Sequence, residues 1–267
     1  MKPVTIVFLH YFGGSKESWN FVIPFLEKDY HCVALNLPGF GGSSLDKKPT
    51  LKNMADYVIS KIRSLGIHDC ILIGHSMGGK VAVEVAVQAA FKVKIAVQGE
   101  VQDIVQDALQ NSGNDLLSQL ILVAPSPPSV EDMPDEQRAV LRELQDDEQV
   151  VKNVEDAIVK DLSPSAYELA LKTQGEIELS ARRWWVDEGI SESIASDSKQ
   201  LDLPITVIAS KTDPAITYEM TIKETMPNLP SSAKLIETTG VGHLIPLEDP
   251  EWLANTIKNI IKKVEML

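Results

Sequence analysis

Short, continuous apolar runs recur along the chain and are separated by segments with helical periodicity. Such runs are typical of strands that are buried on both faces of a parallel sheet. The predicted strands are residues 4–10, 31–37, 70–74, 120–124, 205–210 and 233–238. Residues 18–28 and 51–66 lie between the first strands and are predicted to be helices, and Gly66 ends the second one. The alternation predicts an α/β fold with a doubly wound, mostly parallel sheet of about six strands.

A long segment without any strand-like run interrupts this alternation before the fifth strand. Residues 126–200 begin within PSPPS and continue as charged, amphipathic helical segments. Because one sheet continues on both sides of it, the segment is predicted to be an inserted helical cap, which divides the core into residues 1–125 and 201–267. Such a cap tends to lie over the carboxyl ends of the strands, where open α/β sheets bind their ligands.

A second interruption, residues 88–117, precedes the fourth strand. Residues 91–98 alternate as a strand would, but they fit a continuation of the preceding helix as well, and the pattern does not decide between the two. Residues 101–109 contain a short amphipathic pattern that predicts one more helix. The first part of the core is therefore predicted to carry an unusual insertion.

The net charge, the cysteines and the apolar segments of the sequence indicate which partners and which cellular compartment to expect. The 267 residues carry a formal net charge of −13. Nucleic acid and anionic membranes are therefore not expected as partners, because an acidic surface repels both. The two cysteines, Cys32 and Cys70, begin apolar runs and are predicted to be buried thiols rather than a disulfide. With no signal-peptide pattern and no predicted membrane span, the sequence predicts a cytoplasmic protein.

The stretch ILIGHSMGGKVA, residues 71–82, has two functional interpretations. It matches most of the phosphate-binding pattern G-x-x-x-x-G-K-[ST], but Val81 stands where a magnesium-binding hydroxyl is required. It also matches G-x-S-x-G, a strand–turn–helix in which Ser76 would be a nucleophile and Gly74 and Gly78 relieve the crowding of the turn. A predicted strand and a predicted helix flank the motif, which favours the nucleophile.

If residues 71–82 carry a nucleophile instead of binding a phosphate, Lys80 needs a different interpretation and no nucleotide is expected. In the helix after the turn, Lys80, Glu84 and Gln88 are four residues apart and predict a polar stripe on the helix surface. Lys80 is therefore predicted to be a solvated or paired side chain instead of a phosphate ligand. Neither a cofactor nor a metal is expected.

A nucleophilic serine requires a base to accept its proton and an acid to orient that base. His243 lies in a glycine-rich loop after the last predicted strand, at the sheet edge that Ser76 also reaches. Asp213 follows the strand at 205–210, so the three residues occur in the order Ser, Asp, His. The other histidines are predicted to be structural or exposed, or to point away from the serine hydroxyl: His10, His31, His68 and His75.

The tetrahedral intermediate of such a reaction requires two preorganised N–H donors for its oxyanion. The backbone N–H of Met77 is predicted to be one donor, because this residue follows the nucleophile at the start of a helix. The other donor is expected in the loop after the first strand, LHYFGGSKESW, where Gly13 and Gly14 let the backbone approach the site. Phe12 is the predicted donor in that loop.

These motifs resemble those of the α/β-hydrolase family, and the resemblance extends over nearly the whole chain. The matching segments are LHYFGGSKESW, LNLPGFGGSS, LIGHSMGGKVA, LILVAPSPP, ASKTDPAI and GVGHLIPLEDPEWL. The resemblance implies a catalytic triad of Ser76, Asp213 and His243. The chain departs from the family at Tyr11, where glycine often follows the histidine, and in having no N-terminal hairpin before its first strand.

The resemblance implies a serine hydrolase that cleaves carboxylic esters with small or medium acyl groups through an acyl-enzyme on Ser76. Hydrolysis of thioesters, lactones or carbon–carbon bonds and cofactor-free perhydrolysis use the same triad and stay open, as does a ligand receptor with a slow triad. The expected partner is a small ester-like molecule. Its pocket is predicted to lie between the cap and the strand ends, with Tyr11, Trp19 and Trp184 among the lining residues. The sequence predicts no oligomeric state.

Overall fold

The computed structural model describes residues 3–98 and 116–265, and within these residues the chain forms a six-stranded sheet. The strands are β1 (Thr5–Leu9), β2 (His31–Leu35), β3 (Cys70–His75), β4 (Leu117–Val123), β5 (Ile205–Ser210) and β6 (Lys234–Thr238). Their order is β2-β1-β3-β4-β5-β6, and every neighbouring pair is parallel. The predicted α/β fold is confirmed. The helix predicted at 101–109 lies outside the described residues.

The order of the strands creates a switch point between β1 and β3. From β1 the chain moves outward to β2, and it then returns to place β3 on the opposite side of β1. The connections therefore leave the carboxyl ends of β1 and β3 in opposite directions, which opens a crevice between them. The turns after these two strands carry Phe12 and Ser76, so both residues lie at this crevice.

The α-helices of the described residues occupy the connections between strands and the C-terminal segment. They are α1 (Leu51–Ser64), α2 (Met77–Gln98), α3 (Asp135–Leu141), α4 (Asp147–Ala157), α5 (Pro164–Gly175), α6 (Leu179–Trp184), α7 (Ala195–Ser198), α8 (Tyr218–Met220), α9 (Ile245–Glu248) and α10 (Pro250–Glu265). Single π-helical turns follow α6 and α8, at Trp185–Gly189 and Thr221–Thr225, and a 3₁₀ turn follows at Met226–Asn228. Residues 91–98, which the pattern left undecided, belong to α2.

Helix α1 forms where its apolar periodicity predicts it. Its N-terminus is capped by Thr50, whose side chain accepts a hydrogen bond from the N–H of Asn53 at 3.0 Å. Beyond its C-terminus, Gly66 takes a φ of +69°, a left-handed conformation that ends helices and favours glycine. Both ends are therefore set by local sequence.

The predicted helix at residues 18–28 is wrong. The chain forms two separate 3₁₀ turns there, Lys16–Phe21 and Ile23–Phe25. Pro24 gives the physical reason, because it has no N–H to donate and it disfavours a helical conformation at the preceding residue. The turns nevertheless bury Trp19 completely.

Alternate residues of each strand pack on opposite faces of the sheet, which explains why the central strands β1 and β3 are almost continuously apolar. Val7 and Leu72 belong to the core on the face covered by α1 and α2, whereas Phe8 and Ile73 belong to the core on the face covered by α10. Strand β4 begins at Leu117 rather than at residue 120. The two polar residues that follow Leu117 hide this start from the apolar pattern.

Helices of the segment between β4 and β5 pack against the loop after β1 and against α9. Val154 of α4 and Ala166 of α5 form a buried cluster with Tyr11 of that loop and Leu247 of α9. The side chain of Gln174 in α5 lies so close to Gly13 that a Cβ on this glycine would be 2.3 Å from its amide nitrogen. None of the helices in the described ranges is both long and apolar enough to span a membrane.

Candidate active site

Ser76 lies in a tight turn between β3 and α2. Its backbone takes a φ of +54°, in the left-handed region that residues other than glycine rarely occupy. A Cβ on Gly74 would lie 2.2 Å from the carbonyl oxygen of Gly78, and a Cβ on Gly78 would lie 2.5 Å from that of His10. The G-x-S-x-G pattern is therefore a steric requirement, because it lets the turn close on itself and pack against the end of β1.

We expect Gly74→Ala to destabilise the protein by about 1–3 kcal/mol or more, the usual cost of overpacking. The new methyl group would meet backbone atoms of Gly78 and Gly79, which cannot rotate away as a side chain would. Gly175→Ala at the end of α5 is the matched control, because a Cβ there has no neighbour within 4 Å. Chemical denaturation of both variants measures the difference. Equal free energies of unfolding would contradict the steric requirement.

Three side chains from separate loops form a hydrogen-bonded chain at the carboxyl ends of the strands. Nε2 of His243 lies 2.9 Å from Oγ of Ser76, and Nδ1 of His243 lies 2.8 Å from Oδ2 of Asp213. A carboxylate only accepts hydrogen bonds, so His243 carries its proton on Nδ1 and presents a bare Nε2 to the serine hydroxyl. The structure thus brings together the three residues that the sequence singled out, in a tautomer suited to removing the serine proton.

Asp213 follows β5, and backbone groups hold its carboxylate in place. Its Oδ1 accepts hydrogen bonds from the N–H groups of Ala215 at 2.8 Å and Ile216 at 2.9 Å, which leaves Oδ2 for His243. Burial lowers the pKa of His243, but the charge and the hydrogen bond of Asp213 raise it, and the resulting pKa lies above the ordinary value. The carboxylate therefore stabilises the protonated form of the imidazole.

The backbone around His243 is held by three groups. Its N–H donates to the carbonyl oxygen of Ala157 at the end of α4 (2.7 Å), and its own carbonyl accepts from Nε2 of His75 (2.8 Å). The N–H of Gly242 donates to Oε2 of Glu248, which also accepts two backbone N–H bonds from the residues after α4. The imidazole is thus tied to the turn that carries Ser76 and to the segment between β4 and β5.

The loop after β1 is folded around the carbonyl oxygen of Tyr11. That oxygen accepts hydrogen bonds from Nδ1 of His10 at 2.8 Å and from the N–H of Gly14 at 3.0 Å. Because the peptide bond is planar and trans, these contacts fix the N–H of Phe12 in the opposite direction. Within the described residues, the N–H groups of Phe12 and Met77 donate no hydrogen bond to another group of the chain. Both are therefore free to bind a ligand.

The remaining histidines behave as the sequence predicts. His10 is completely buried, and its Nε2 accepts a hydrogen bond from the N–H of Leu37 at 3.1 Å. Burial lowers the pKa of His10 to about 4, so it is a neutral structural link between the loops after β1 and β2. His31 and His68 are exposed.

The residues predicted to line a pocket are packed among other side chains. Tyr11 and Trp184 retain 3% and 4% of their accessible surface, and Trp184 packs edge-on against Trp185. Trp19 has no accessible surface and lies against Phe8 in the core, with a ring separation of 4.8 Å. The structure therefore places Trp19 in the core against β1, because its position in a 3₁₀ turn directs its ring toward the sheet.

Lys80 is completely buried, which contradicts the predicted position on the helix surface. Its Nζ donates to the carbonyl oxygens of Ser129 at 3.0 Å and Ile190 at 3.2 Å. Burial lowers the pKa of Lys80 to about 8, although the nearby carboxylate of Glu131 opposes this effect. The spacing of Lys80, Glu84 and Gln88 shows only that the three residues share one face of α2. It does not show that the segments containing Ser129 and Ile190 cover this face at Lys80.

Glu131 is a buried carboxylate near this site that the sequence did not single out. It accepts a hydrogen bond from Oγ of Ser126, and the N–H of Ser126 donates to the carbonyl oxygen of Ser76 at 3.1 Å. Burial raises the pKa of Glu131. Glu131 lies five residues after Ser126, in a loop without helical or strand periodicity. The sequence pattern therefore does not indicate that this carboxylate is connected through Ser126 to the turn of Ser76.

Neither a disulfide nor a metal cluster organises the site within the described residues. Cys32 and Cys70 are free thiols, and Cys70 is buried as predicted, whereas Cys32 is half-buried. Across residues 3–98 and 116–265, no three His, Cys, Asp or Glu side chains are grouped as a metal ion requires.

Known proteins resemble this chain in sequence and in fold. A family model described as "Alpha/beta hydrolase family" matches residues 6–256. The dihydrolipoyllysine-residue acetyltransferase component of the acetoin cleaving system from Cupriavidus necator is 42% identical over 81 residues, which are 30% of this chain and 22% of that protein. The chain thus spans well under two thirds of the length of the curated relatives that it matches.

Two solved structures illustrate the likeness in fold. A thermophilic esterase from Thermogutta terrifontis is 19% identical with a TM-score of 0.76, over 98% of this chain and 91% of that chain. A meta-cleavage product hydrolase from Pseudomonas fluorescens IP01 is 16% identical with a TM-score of 0.76, over 98% and 92% of the two chains. At such identities the likeness to these structures concerns the fold alone. The family model, by contrast, matches most of the sequence, from β1 into α10. The chain therefore belongs to the α/β-hydrolase family.

Proposed function

We propose that this chain is a serine hydrolase that cleaves carboxylic esters with small or medium acyl groups through an acyl-enzyme on Ser76. The observation that carries the proposal is the contact of His243 with both Ser76 (2.9 Å) and Asp213 (2.8 Å). The position of this chain of contacts at the switch point of the sheet supports it, since ligands of open α/β sheets bind there. Membership of the α/β-hydrolase family and the fold shared with an esterase also support it.

In the first half of the proposed reaction, Oγ of Ser76 attacks the ester carbonyl carbon while Nε2 of His243 accepts the hydroxyl proton. The negative charge that forms on the carbonyl oxygen is bound by the backbone N–H groups of Phe12 and Met77. Asp213 stabilises the imidazolium. His243 then gives its proton to the leaving oxygen, the C–O bond breaks, and the alcohol departs while the acyl group stays on the serine.

In the second half, a water molecule takes the place of the alcohol. His243 accepts a proton from this water, and the resulting hydroxide attacks the acyl carbon, with the oxyanion bound by the same two N–H groups. The bond to Ser76 then breaks, and His243 returns its proton to the serine oxygen. The carboxylic acid leaves, and both residues regain their starting protonation states.

We assign residues 126–200 to a cap that covers this site. Val154 and other apolar residues of α4 and α5 pack on Tyr11, and Gln174 lies directly against Gly13 of the loop that carries the Phe12 donor. A cap in this position forms the pocket wall opposite the strand ends. The low exposure of the nucleophile, 7%, is consistent with a site that the cap covers.

Hydrolysis of p-nitrophenyl esters from acetate to octanoate tests the proposal. The wild type is expected to release p-nitrophenol, with lower kcat/KM for the longest acyl chains, and Ser76→Ala is expected to react at the background rate. Ser60→Ala is the matched control, because Ser60 is exposed on α1 and lies outside the proposed cap. Equal rates for the wild type and Ser76→Ala would overturn the proposal.

The same panel separates ester hydrolysis from the other reactions of this triad. Thioesters, lactones, a vinylogous diketone and perhydrolysis of acetate are assayed beside the esters. The highest kcat/KM on an ester supports the proposed substrate class. A much higher value on another member reassigns the substrate, and turnover below about 1 s⁻¹ on all of them favours a receptor with a slow triad.

A further inference from the structure

His75, next to the proposed nucleophile, contacts the proposed base in a way that the reaction scheme does not use. Its Nε2 lies 2.8 Å from the backbone carbonyl oxygen of His243, and the two imidazole rings are 5.1 Å apart. The His75 ring also packs against Tyr11 at 5.1 Å and Trp19 at 6.5 Å. Only 1% of the residue is exposed.

The partner of His75 decides its tautomer. A carbonyl oxygen can only accept, so Nε2 of His75 carries the proton and Nδ1 is bare. Within the described residues no group donates to this Nδ1, so the contact with His243 alone selects the tautomer. Burial lowers the pKa of His75 well below the ordinary value, and the neighbouring His243 lowers it further. His75 is therefore a neutral donor where His243 works as a base.

The hydrogen bond from His75 gives the turn of Ser76 a second contact with His243. Ser76 touches the side chain of His243, while the adjacent residue His75 touches the backbone of the same histidine. The loop that carries His243 contains Gly240 at a φ of +76° and Gly242 immediately before the base, so local sequence does little to fix its position. A second tie to the turn of Ser76 therefore restricts how far the imidazole can move from the hydroxyl.

We propose that His75 is a positioning residue, whose neutral Nε2–H holds the backbone of His243 at the distance from which its imidazole removes the proton of Ser76. This role rests on the proposed serine-hydrolase function. Removing the donor leaves a buried carbonyl without a partner and lets the loop shift. Misplacement of a reacting group by about 1 Å can cost about 10²-fold in rate. The loss falls on kcat, because His75 does not touch the substrate.

Two variants of opposite design test the role of the donor. His75→Gln keeps an N–H near the position of Nε2, whereas His75→Phe keeps the ring contacts and removes the N–H. We expect kcat of His75→Gln within about threefold of the wild type and kcat of His75→Phe lower by about 10–100-fold, with KM within about twofold in both. His68→Gln controls for the loss of an exposed histidine. His75→Leu is a second donor-free variant if His75→Phe does not fold.

The rate of Ser76 labelling by a fluorophosphonate is measured beside ester turnover, with thermal melting as the check on folding. The labelling rates should fall in the same order as kcat. Wild-type rates in a folded donor-free variant would overturn the proposal, as would a loss in His75→Gln equal to that in His75→Phe. A wild type that neither turns over esters nor reacts with the fluorophosphonate would instead contradict the proposed function.

Discussion

Ser76→Ala and His243→Ala are each expected to lower kcat of ester hydrolysis by about 10⁴–10⁶-fold, and the double variant is expected to be no slower than either single variant. The reason is that the 2.9 Å contact joins the two residues into one unit, in which the hydroxyl attacks only as its proton leaves. Removal of one member therefore disables the other. Saturation kinetics with a p-nitrophenyl ester measure kcat of the three variants.

His68→Ala is the control for a general effect of histidine loss, because His68 is exposed and should retain the wild-type kcat. Thermal melting of each variant checks that the fold is intact. If the losses in the double variant multiplied, Ser76 and His243 would act independently. That result would contradict the proposed chain of contacts, even if each single loss were large.

Asp213→Asn is expected to lower kcat by about 10³–10⁴-fold. The amide of asparagine can donate to Nδ1 of His243, which favours the tautomer with its proton on Nε2 and leaves no base beside Ser76. The backbone bonds from Ala215 and Ile216 should still hold the side chain in place. Saturation kinetics give the loss, and Asp202→Asn, an exposed residue before β5, is the matched control.

The dependence of kcat/KM on pH is expected to differ between the wild type and Asp213→Asn. His243 must be neutral to accept a proton, and its pKa in this site lies above the ordinary value of about 6.5. Wild-type kcat/KM should therefore fall as the pH decreases through a value above about 6.5. Without the charge of Asp213, the opposing effect of burial prevails and this fall should move to lower pH. An unchanged profile in Asp213→Asn would argue against the ion pair as the cause of the raised pKa.

Much of the fold follows from local sequence because the sheet is buried on both faces. A central strand then needs apolar residues on both of its faces, as residues 70–74 and most of residues 205–210 show, and the pattern reveals its place directly. The turn at Ser76 is partly local, since the crowding that requires Gly74 comes from Gly78 and Gly79, whereas the crowding at Gly78 comes from the end of β1. The order of strands and the family motifs then place Asp213 and His243 near the serine.

What the sequence did not reveal depends on contacts between distant segments. Lys80 has the spacing of a surface residue, yet it is covered by the loop of Ser129 and the turn at Ile190. Trp19 is directed into the core by the 3₁₀ turn Lys16–Phe21, which forms where the apolar pattern predicts an α-helix. His75 is 168 residues from the carbonyl group that it binds, so no pattern along the chain reports this pairing.

The covalent product of a fluorophosphonate with the purified protein tests the central claim most directly. Peptide mass spectrometry of the treated wild type is predicted to locate a single phosphonyl adduct on Ser76, with loss of ester hydrolysis in proportion to the labelled fraction, and no adduct in Ser76→Ala. An adduct on a different residue with Ser76 unmodified, or undiminished ester hydrolysis by fully labelled protein, would contradict the proposal that Ser76 is the nucleophile.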